Sequence, residues 1–562
     1  MAAGRSVSVE VLLWVGVATG AALLRLVDLD GLPLTVDESR RALDAARVAG
    51  GEAPETWRGD LAAAATSYLF RVFGESEFVA RLAPALGGAG LVSVLWSARG
   101  YIGRVGALVA AMLVGFSPLF VMQARSGAEF SIGAVVAITM VLSMLAYVRA
   151  PGAGPLFGLV ISGSLALLTD AVAVSAFLAV GGFLAIESGV LGSKAVAEAW
   201  RSFRSSRVQW GSALLVVLAA FQLGLAHFGT TLNTDGLPGL RLWTDMFESG
   251  GAAREPEYYG ALLLGYELPI VLGGGFGLVM AIRRVTGEWR GGKGAGGGVS
   301  IERMVLVWTV LSAMTLLLAT RREPGQLVLV LLPLALLAGA AAEEAAGRVE
   351  WSAIRRHWPL LAAILGLMGY AALLMTEWSA GNGGGLERGL LVAAALALGE
   401  LLLLTLRNWR GDAAVGIASM AVVATAFLGH SSLAVAFSGG TEFASDERLL
   451  PRAERLKETL DALAEQRDGE IVVDGELIDV LGWTLRDSPV VFGDATAETG
   501  VVVLPLGEEP DGFVALEEVW RVAEGWQPES ILRPRSMWRW LLYRGAYSEL
   551  QSVEVQIFVR SV

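Results

Sequence analysis

The chain has 562 residues, 54% of them hydrophobic and 17% charged, and its mean hydropathy is +0.57, which excludes a soluble globular protein. It has no cysteine and three scattered histidines (His227, His357, His430), which excludes disulfides, thiolate metal sites and a histidine-based metal cluster. The net charge of −12 lies entirely in residues 438–562, which hold 24 acidic and 12 basic residues, and this argues against nucleic acid as a partner.

The first apolar run, Val9 to Val27, lacks a small-residue cleavage site and is expected to remain as a membrane helix. A long loop over 28–81 follows. It opens on adjacent carboxylates, Asp37 and Glu38. Thr35 and Glu38 have capping-box spacing, so a helix should start there, with Glu38 at its third position and Asp37 complementing the helix dipole. Leu43, Ala46 and Ala49/Gly50 form one apolar stripe, with Arg40, Arg41, Asp44 and Arg47 opposite, so this helix is expected to lie along the membrane surface. A second amphipathic piece, "AAAATSYLFRVFG", precedes the next span.

Further apolar runs fall at 82–98, 105–122, 130–149, 155–169, 171–188, 210–228, 259–282, 303–319, 325–343, 359–376, 388–406 and 413–437, about thirteen helices in all. A cytoplasmic N-terminus puts "SARGYIGR", "YVRAPGAG", "KAVAEAWRSFRSSR", "RRVTGEWRGGKG", "GRVEWSAIRRHW" and "RNWRGD" inside, all net basic or arginine-rich. The Asp37–Glu38 pair and the C-terminal region are then outside. Glu129 follows the third span and is either a functional acid or a cap of the next helix. Asp170 is expected to cap the sixth span. Glu267 falls in an apolar span, where an ionised group calls for a polar cavity or a partner, and Glu400 reads as a structural or protonated carboxyl. Arg81, Arg125, Arg321 and Arg322 stand at outer ends of spans. Their planar forks suit a phosphate, although interfacial snorkelling is the simpler role.

Residues 438–562 change character. "DERLLPRAERLKETLDALAEQRDG" reads as an amphipathic helix, and "EIVVDG", "PVVFGD", "GVVVLPLG" and "VEVQIFVR" as short strands with helical stretches between them. Two domains are expected: a transmembrane helical domain over 1–437 and a soluble α/β domain over 438–562. In "LGWTLRDSP", Trp483 should be buried at a packing corner with Arg486 and Asp487 as a local pair.

Several of these segments resemble the GT-C fold of membrane glycosyltransferases. They are "VDESRRALDAARVAGG", "FGESEFVARLAPALGGAGLV", "GFSPLFVMQARSGAEF", "EPEYYGALLLGYELPI", "LGWTLRDSP" and "WRWLLYRG". The nearest group is that of the dolichyl-phosphate-mannose protein mannosyltransferases and aminoarabinose transferases, and within it the prokaryotic flippase-activity-associated branch. The resemblance spans nearly the whole chain. It implies an inverting transfer of a sugar from a polyprenyl-phosphate carrier to a hydroxyl of a protein or glycan acceptor, at the outer face of the cell membrane. It also implies Asp37 as the base, an acid at Glu129 that works with it, and a basic, Pro-containing loop at Arg321 and Arg322. From their positions in the sequence, Glu38 is a candidate second catalytic acid or only a cap, and Arg81, Arg125, Arg321, Arg322 and Glu267 are candidate substrate or phosphate contacts. Some subfamilies hold a divalent cation at such carboxylates and others do not, so Asp37 and Glu129 are the metal candidates. One segment departs from the pattern: "RGDLAAAATSYLF" has neither the His-Pro-Pro nor the Gly-Pro-Leu-like stretch of active members. The alternative is therefore a catalytically silent scaffold or accessory subunit in a membrane protein complex that handles lipid-linked sugars. A transporter ranks last, since no internal repeat with paired broken helices is present.

Overall fold

A computed structural model describes residues 8–52, 57, 59–225, 237–248, 256–290, 299–380, 399, 413–437, 442, 444–445, 447–466, 470–496, 499–526 and 534–561. The expected span over 388–406 with Glu400 lies largely outside these residues, as does His227. Eight described helices are long and apolar enough to cross a membrane, or up to ten if two bent pairs each count as one span, against the thirteen expected.

In chain order, α1 (Val9–Leu26) leads to α2 (Val36–Ala49) and α3 (Leu61–Phe73), then α4 (Glu77–Val94). Next come α5 (Arg104–Gly115) and α6 (Pro118–Arg125), the expected span over 105–122. It is bent by 56° because Ser117 and Pro118 restart the helix as N-cap and first residue. α7 (Phe130–Arg149), α8 (Ala153–Thr169) and α9 (Ala171–Ala185) follow. α10 (Lys194–Ser205) and α11 (Arg207–Leu225) form the second bent pair, at 87°. α12 (Pro238–Asp245), α13 (Pro256–Tyr266), α14 (Leu268–Arg290), α15 (Ile301–Leu318), α16 (Val328–Arg348), α17 (Trp358–Ala380) and α18 (Ala413–Phe437) complete the bundle. The apolar stretch 153–169 is too short to count as a span on its own.

The C-terminal region is a six-stranded mixed sheet in the order β1-β5-β6-β4-β2-β3. Its strands are β1 (Arg448–Leu449), β2 (Glu470–Val473), β3 (Val490–Phe492), β4 (Thr499–Pro505), β5 (Phe513–Gly525) and β6 (Gln551–Arg560). β3, β2 and β4 are parallel, whereas β6, β5 and β1 join antiparallel. The helix expected at the start of this region is α19 (Arg452–Gln466), and a last helix, α20 (Pro534–Tyr543), precedes β6. β5 falls where helix was expected. Most of its length is exposed, so its sequence lacks the alternation that marks a half-buried strand.

The surface helix of the first loop is a second correction. The apolar side of α2 is covered by the C-terminal sheet rather than laid on a bilayer. Leu34, Ala42, Ala45, Ala46 and Val48 share one core with Phe70 of α3 and with Leu456, Leu460, Ile471, Val473, Trp483, Val501 and Ile557. The two parts also pair through backbone. Val36 N donates to Glu447 O at 2.8 Å and Leu449 N to Leu34 O at 2.9 Å, so residue 35 bridges antiparallel to residue 448. Trp483 is buried and stacks on Phe70 at 5.8 Å, as the packing corner required. Arg486 lies over its ring at 4.0 Å, 3.7 Å from Asp487 and 3.2 Å from Glu75. Two tail residues, Trp526 and Trp540, belong instead to the core of the helical bundle.

Trp483→Ala removes a large buried ring, which typically costs about 3–5 kcal/mol. The loss should appear as faster hydrogen exchange in α2, α3 and β2–β4, with the spans α7 and α16 keeping their protection.

Candidate functional site

Thr35 and Glu38 form the capping box that starts α2: Glu38 N donates to Thr35 Oγ1 at 3.2 Å, and Thr35 N to Glu38 Oε2 at 2.7 Å. The same carboxylate, buried, accepts from Arg81 Nε at 3.0 Å and Nη2 at 2.9 Å. Arg81 uses its remaining N–H groups on Leu29 O (2.9 Å), Leu32 O (2.7 Å) and Pro33 O (3.1 Å). All five guanidinium donors therefore have acceptors. Burial acts to raise the Glu38 pKa. The Arg81 charge, its hydrogen bonds and the Thr35 N–H outweigh that and hold it below the ordinary glutamate value.

Asp37 points the other way and its side chain is 44% exposed. Arg40 Nη2 lies 3.4 Å from one of its oxygens and Arg41 Nη2 3.6 Å from the other. Arg41 Nη1 reaches Glu129 Oε2 at 3.5 Å and Gly127 O at 3.4 Å. Gly127 has φ +64°, in the turn that joins α6 to α7, a conformation that favours glycine. Burial works to lower the Arg41 pKa, but the carboxylates of Glu129, Asp37, Glu323 and Glu38 raise it on balance. The guanidinium is a permanent cation between two acids.

Two cavities flank this group. The first, about 260 Å³, is lined by Asp37, Glu38 and Arg41, by Arg81 and Arg125, by Arg321 to Gly325, and by Arg448 from β1. The second, about 290 Å³, is lined by Glu38, Arg41 and Arg81 on the shared side, and by Asp44, Trp57, Asp60, Glu129, Arg241 and Asp245 beyond.

Of the expected phosphate contacts, Arg81 reaches the first cavity with all its donors committed, and Arg125 with three hydrogen bonds to backbone carbonyls. Arg125 donates to Leu24 O (3.1 Å), Val27 O (2.8 Å) and Asp28 O (2.6 Å), which satisfies carbonyls at the end of α1. Arg321 and Arg322 stand on the loop between α15 and α16, anchored where Thr320 N and Arg321 N donate to Met246 O at 2.9 and 3.1 Å. Among the described residues, neither Arg321 nor Arg448 makes a side-chain ion pair within 4 Å. Arg448 had no signal in the sequence, because nothing in "DERLL" marks it as facing a cavity.

Glu267 is not brought to either cavity. It sits at the break between α13 and α14, where it accepts from Ser117 Oγ at 2.6 Å and Leu119 N at 2.9 Å, so it fastens the start of α6. Asp170 caps α9 by accepting from Ala173 N at 2.8 Å. Gly133 makes room for it, since a Cβ there would lie 1.9 Å from the carboxylate. Glu129 occupies the N-cap position of α7 but makes no side-chain cap bond, and it lines the second cavity. As metal ligands, Asp37 and Glu129 fit poorly, because Arg41 already supplies the positive charge between them. Among the described residues no group of three His, Asp or Glu converges as a metal site.

No protein-family model and no curated protein sequence matches the chain. Two crystal structures of ArnT from Cupriavidus metallidurans do, one bound to undecaprenyl phosphate and one in the apo state. Each is 18% identical, with a TM-score of 0.52, and each covers 86% of ArnT and 86% or 87% of this chain. The chain therefore has the GT-C-like membrane fold expected from its motifs.

Glu38→Gln breaks a buried ion pair and should cost about 3–5 kcal/mol, whereas Asp37→Asn, at a half-exposed pair, should stay within about 1 kcal/mol. Because the Glu38 pKa is depressed, its contribution is complete above about pH 4.5 and is lost as pH falls through the folded value. Thermal unfolding in detergent, followed from about pH 6 down through about pH 4.5 and below, should show that loss in the wild type and not in Glu38→Gln.

Proposed function

We propose that the chain is a membrane glycosyltransferase that takes a sugar from a polyprenyl-phosphate carrier and transfers it to an acceptor hydroxyl, with the first cavity as donor site. One observation carries this reading. In a fold shared with a protein crystallised with undecaprenyl phosphate, an exposed carboxylate and several arginines line one cavity at the end of the bundle that carries the sheet. Basic loops at the other end favour this as the outer side of the membrane, with the N-terminus in the cytoplasm.

The chemistry follows from the groups present. The donor's anomeric carbon is bonded to a phosphate oxygen. As the acceptor oxygen attacks from the opposite face, the new glycosidic bond forms, the bond to phosphate breaks, and the electron pair leaves with the lipid phosphate. The leaving group is already an anion, so it needs positive charge more than a proton. Arg321, Arg322 and Arg448, together with Arg41, supply that charge. The acceptor must lose its proton. Of the carboxylates that line the first cavity, Glu38 is locked to Arg81, Glu323 is exposed on the loop before α16, and Asp37, half-exposed at the start of α2, is the one we assign as base. Arg81 and Arg125 hold the walls that carry these groups. In-line displacement inverts the anomeric centre.

The silent-scaffold reading also has an observation behind it: Asp37 is within 3.6 Å of two arginines, as a purely structural acid would be. Asp37→Asn separates the two. Purified protein is to be assayed with a panel of undecaprenyl-phosphate-linked sugars. Under the transferase reading Asp37→Asn lowers the rate at least a hundredfold, the scale of general base catalysis, with the fold intact. Arg321→Gln then raises KM for the donor more than it lowers kcat. A wild-type protein inert toward every donor, in a host whose envelope phenotype is unchanged by Asp37→Asn, favours the scaffold.

A further inference from the structure

The two cavities share three residues, Glu38, Arg41 and Arg81, and these are held very differently. Glu38 and Arg81 lock each other at 2.9 and 3.0 Å, and Arg81 is bonded to three carbonyls besides. That part of the wall is fixed. Arg41 has only contacts at 3.4, 3.5 and 3.6 Å, to Gly127 O, Glu129 and Asp37, at the outer limit of hydrogen bonding. Its Nε is buried without a partner. A guanidinium bonds best as a planar fork on one carboxylate or phosphate, and here it is spread thinly over two acids and a carbonyl. It also lines the cavity that holds Arg321, Arg322 and Arg448, so a phosphate placed among them lies within reach of the Arg41 side chain.

We propose that Arg41 is the movable part of this wall: it leaves Asp37 and Glu129 for the donor phosphate, and so releases one Asp37 oxygen to act as the base while Arg40 stays 3.4 Å from the other, and opens the second cavity, as the acceptor site, to the first. This rests on the transferase reading of the first cavity. It makes Arg41 a positioning residue and sets an order, donor before acceptor. Until a phosphate draws Arg41 away, Asp37 is paired and the acceptor side is walled off. The covalent step is unchanged: the acceptor proton goes to Asp37, and the lipid phosphate leaves with the bonding pair, met by Arg41 in its new position.

Equilibrium binding of undecaprenyl phosphate, without a sugar, tests the exchange. The proteins are the wild type, Asp37→Asn, Arg41→Gln, Arg41→Lys, the Asp37→Asn/Arg41→Gln double variant, and Arg321→Gln. Losing Arg41 should weaken binding about tenfold, the scale of one charge-assisted hydrogen bond. Arg41→Lys, with charge but no fork, should fall between. Asp37→Asn should tighten binding severalfold, because Arg41 no longer has to be drawn from that carboxylate, and the gain should vanish in the double variant. A merely structural Arg41 would give additive effects. The proposal is overturned if Asp37→Asn binds no tighter than wild type, or if its gain survives without Arg41. In both cases wild-type binding that Arg321→Gln weakens leaves the donor site standing. Wild-type protein that does not bind the lipid at all overturns the donor site and this proposal together. Should Arg41→Gln fail to fold, Asp37→Asn and Arg41→Lys decide the question alone.

Discussion

The buried pair of Glu38 and Arg81 is the constraint on which the rest of this end of the molecule depends. One carboxylate starts α2, and one guanidinium closes the turn before it by taking the carbonyls of residues 29, 32 and 33. Taking two charges out of water is costly, and the attraction offsets that cost only when the remaining donors and acceptors are satisfied. Here every guanidinium N–H has an acceptor, so the pair can be buried and rigid. Its position dictates the neighbours. Asp37 is one residue earlier, about 100° around the helix, and faces the cavity, while Arg41, about one turn after both, falls between them in angle and lines both cavities.

The start of α2 was legible because capping is local: Thr35 and Glu38 signal it from their spacing alone. Adjacent acids in a sequence look equivalent, yet a helix sends them in different directions, and the sequence does not say which one meets an arginine 43 residues away. The same limit applies to the covering of α2. An amphipathic stripe demands an apolar neighbour but does not name it, and the sheet takes the place assigned to a membrane surface. Trp483 was correctly assigned to the interior because a tryptophan between Gly482 and a polar turn has little other use. β5 was missed because its exposed residues obey no burial pattern. Pro118 bends an apolar run that hydropathy alone reads as continuous.

The arginines divide by what their N–H groups meet. Arg25, fully buried in the bundle, donates to Ala21 O, Val114 O and Gly115 O, at the break between α5 and α6. Arg125 does the same for the end of α1, and Arg81 for the turn beyond it. All three answer carbonyls that a helix end leaves without partners. Arg321, Arg322 and Arg448 come instead from a loop and a short edge strand, and they line a cavity. Position at a span end, the property a sequence displays, does not separate the two groups. What the N–H groups meet is the better guide: all five of Arg81 have acceptors, whereas Arg321 and Arg448 make no side-chain ion pair among the described residues. A phosphate competes poorly for an arginine already bonded to carbonyls at 2.6–3.1 Å, and well for one without such acceptors.

This division gives the C-terminal sheet a part in the site rather than a place beside it. β1 is only two residues long, but it bridges to Thr35, the residue that caps α2, and carries Arg448 to the cavity that Arg321 and Arg322 also line. Burial lowers the Arg448 pKa, and the carboxylate that most opposes this is Glu38, which Arg81 already holds. An arginine brought that far from water without a carboxylate of its own is poorly compensated, and an anion in the cavity would relieve it. Docking of the sheet and the charge of the cavity are then coupled through one side chain: whatever loosens the contact between residues 34–36 and 447–449 also withdraws a positive charge from the cavity.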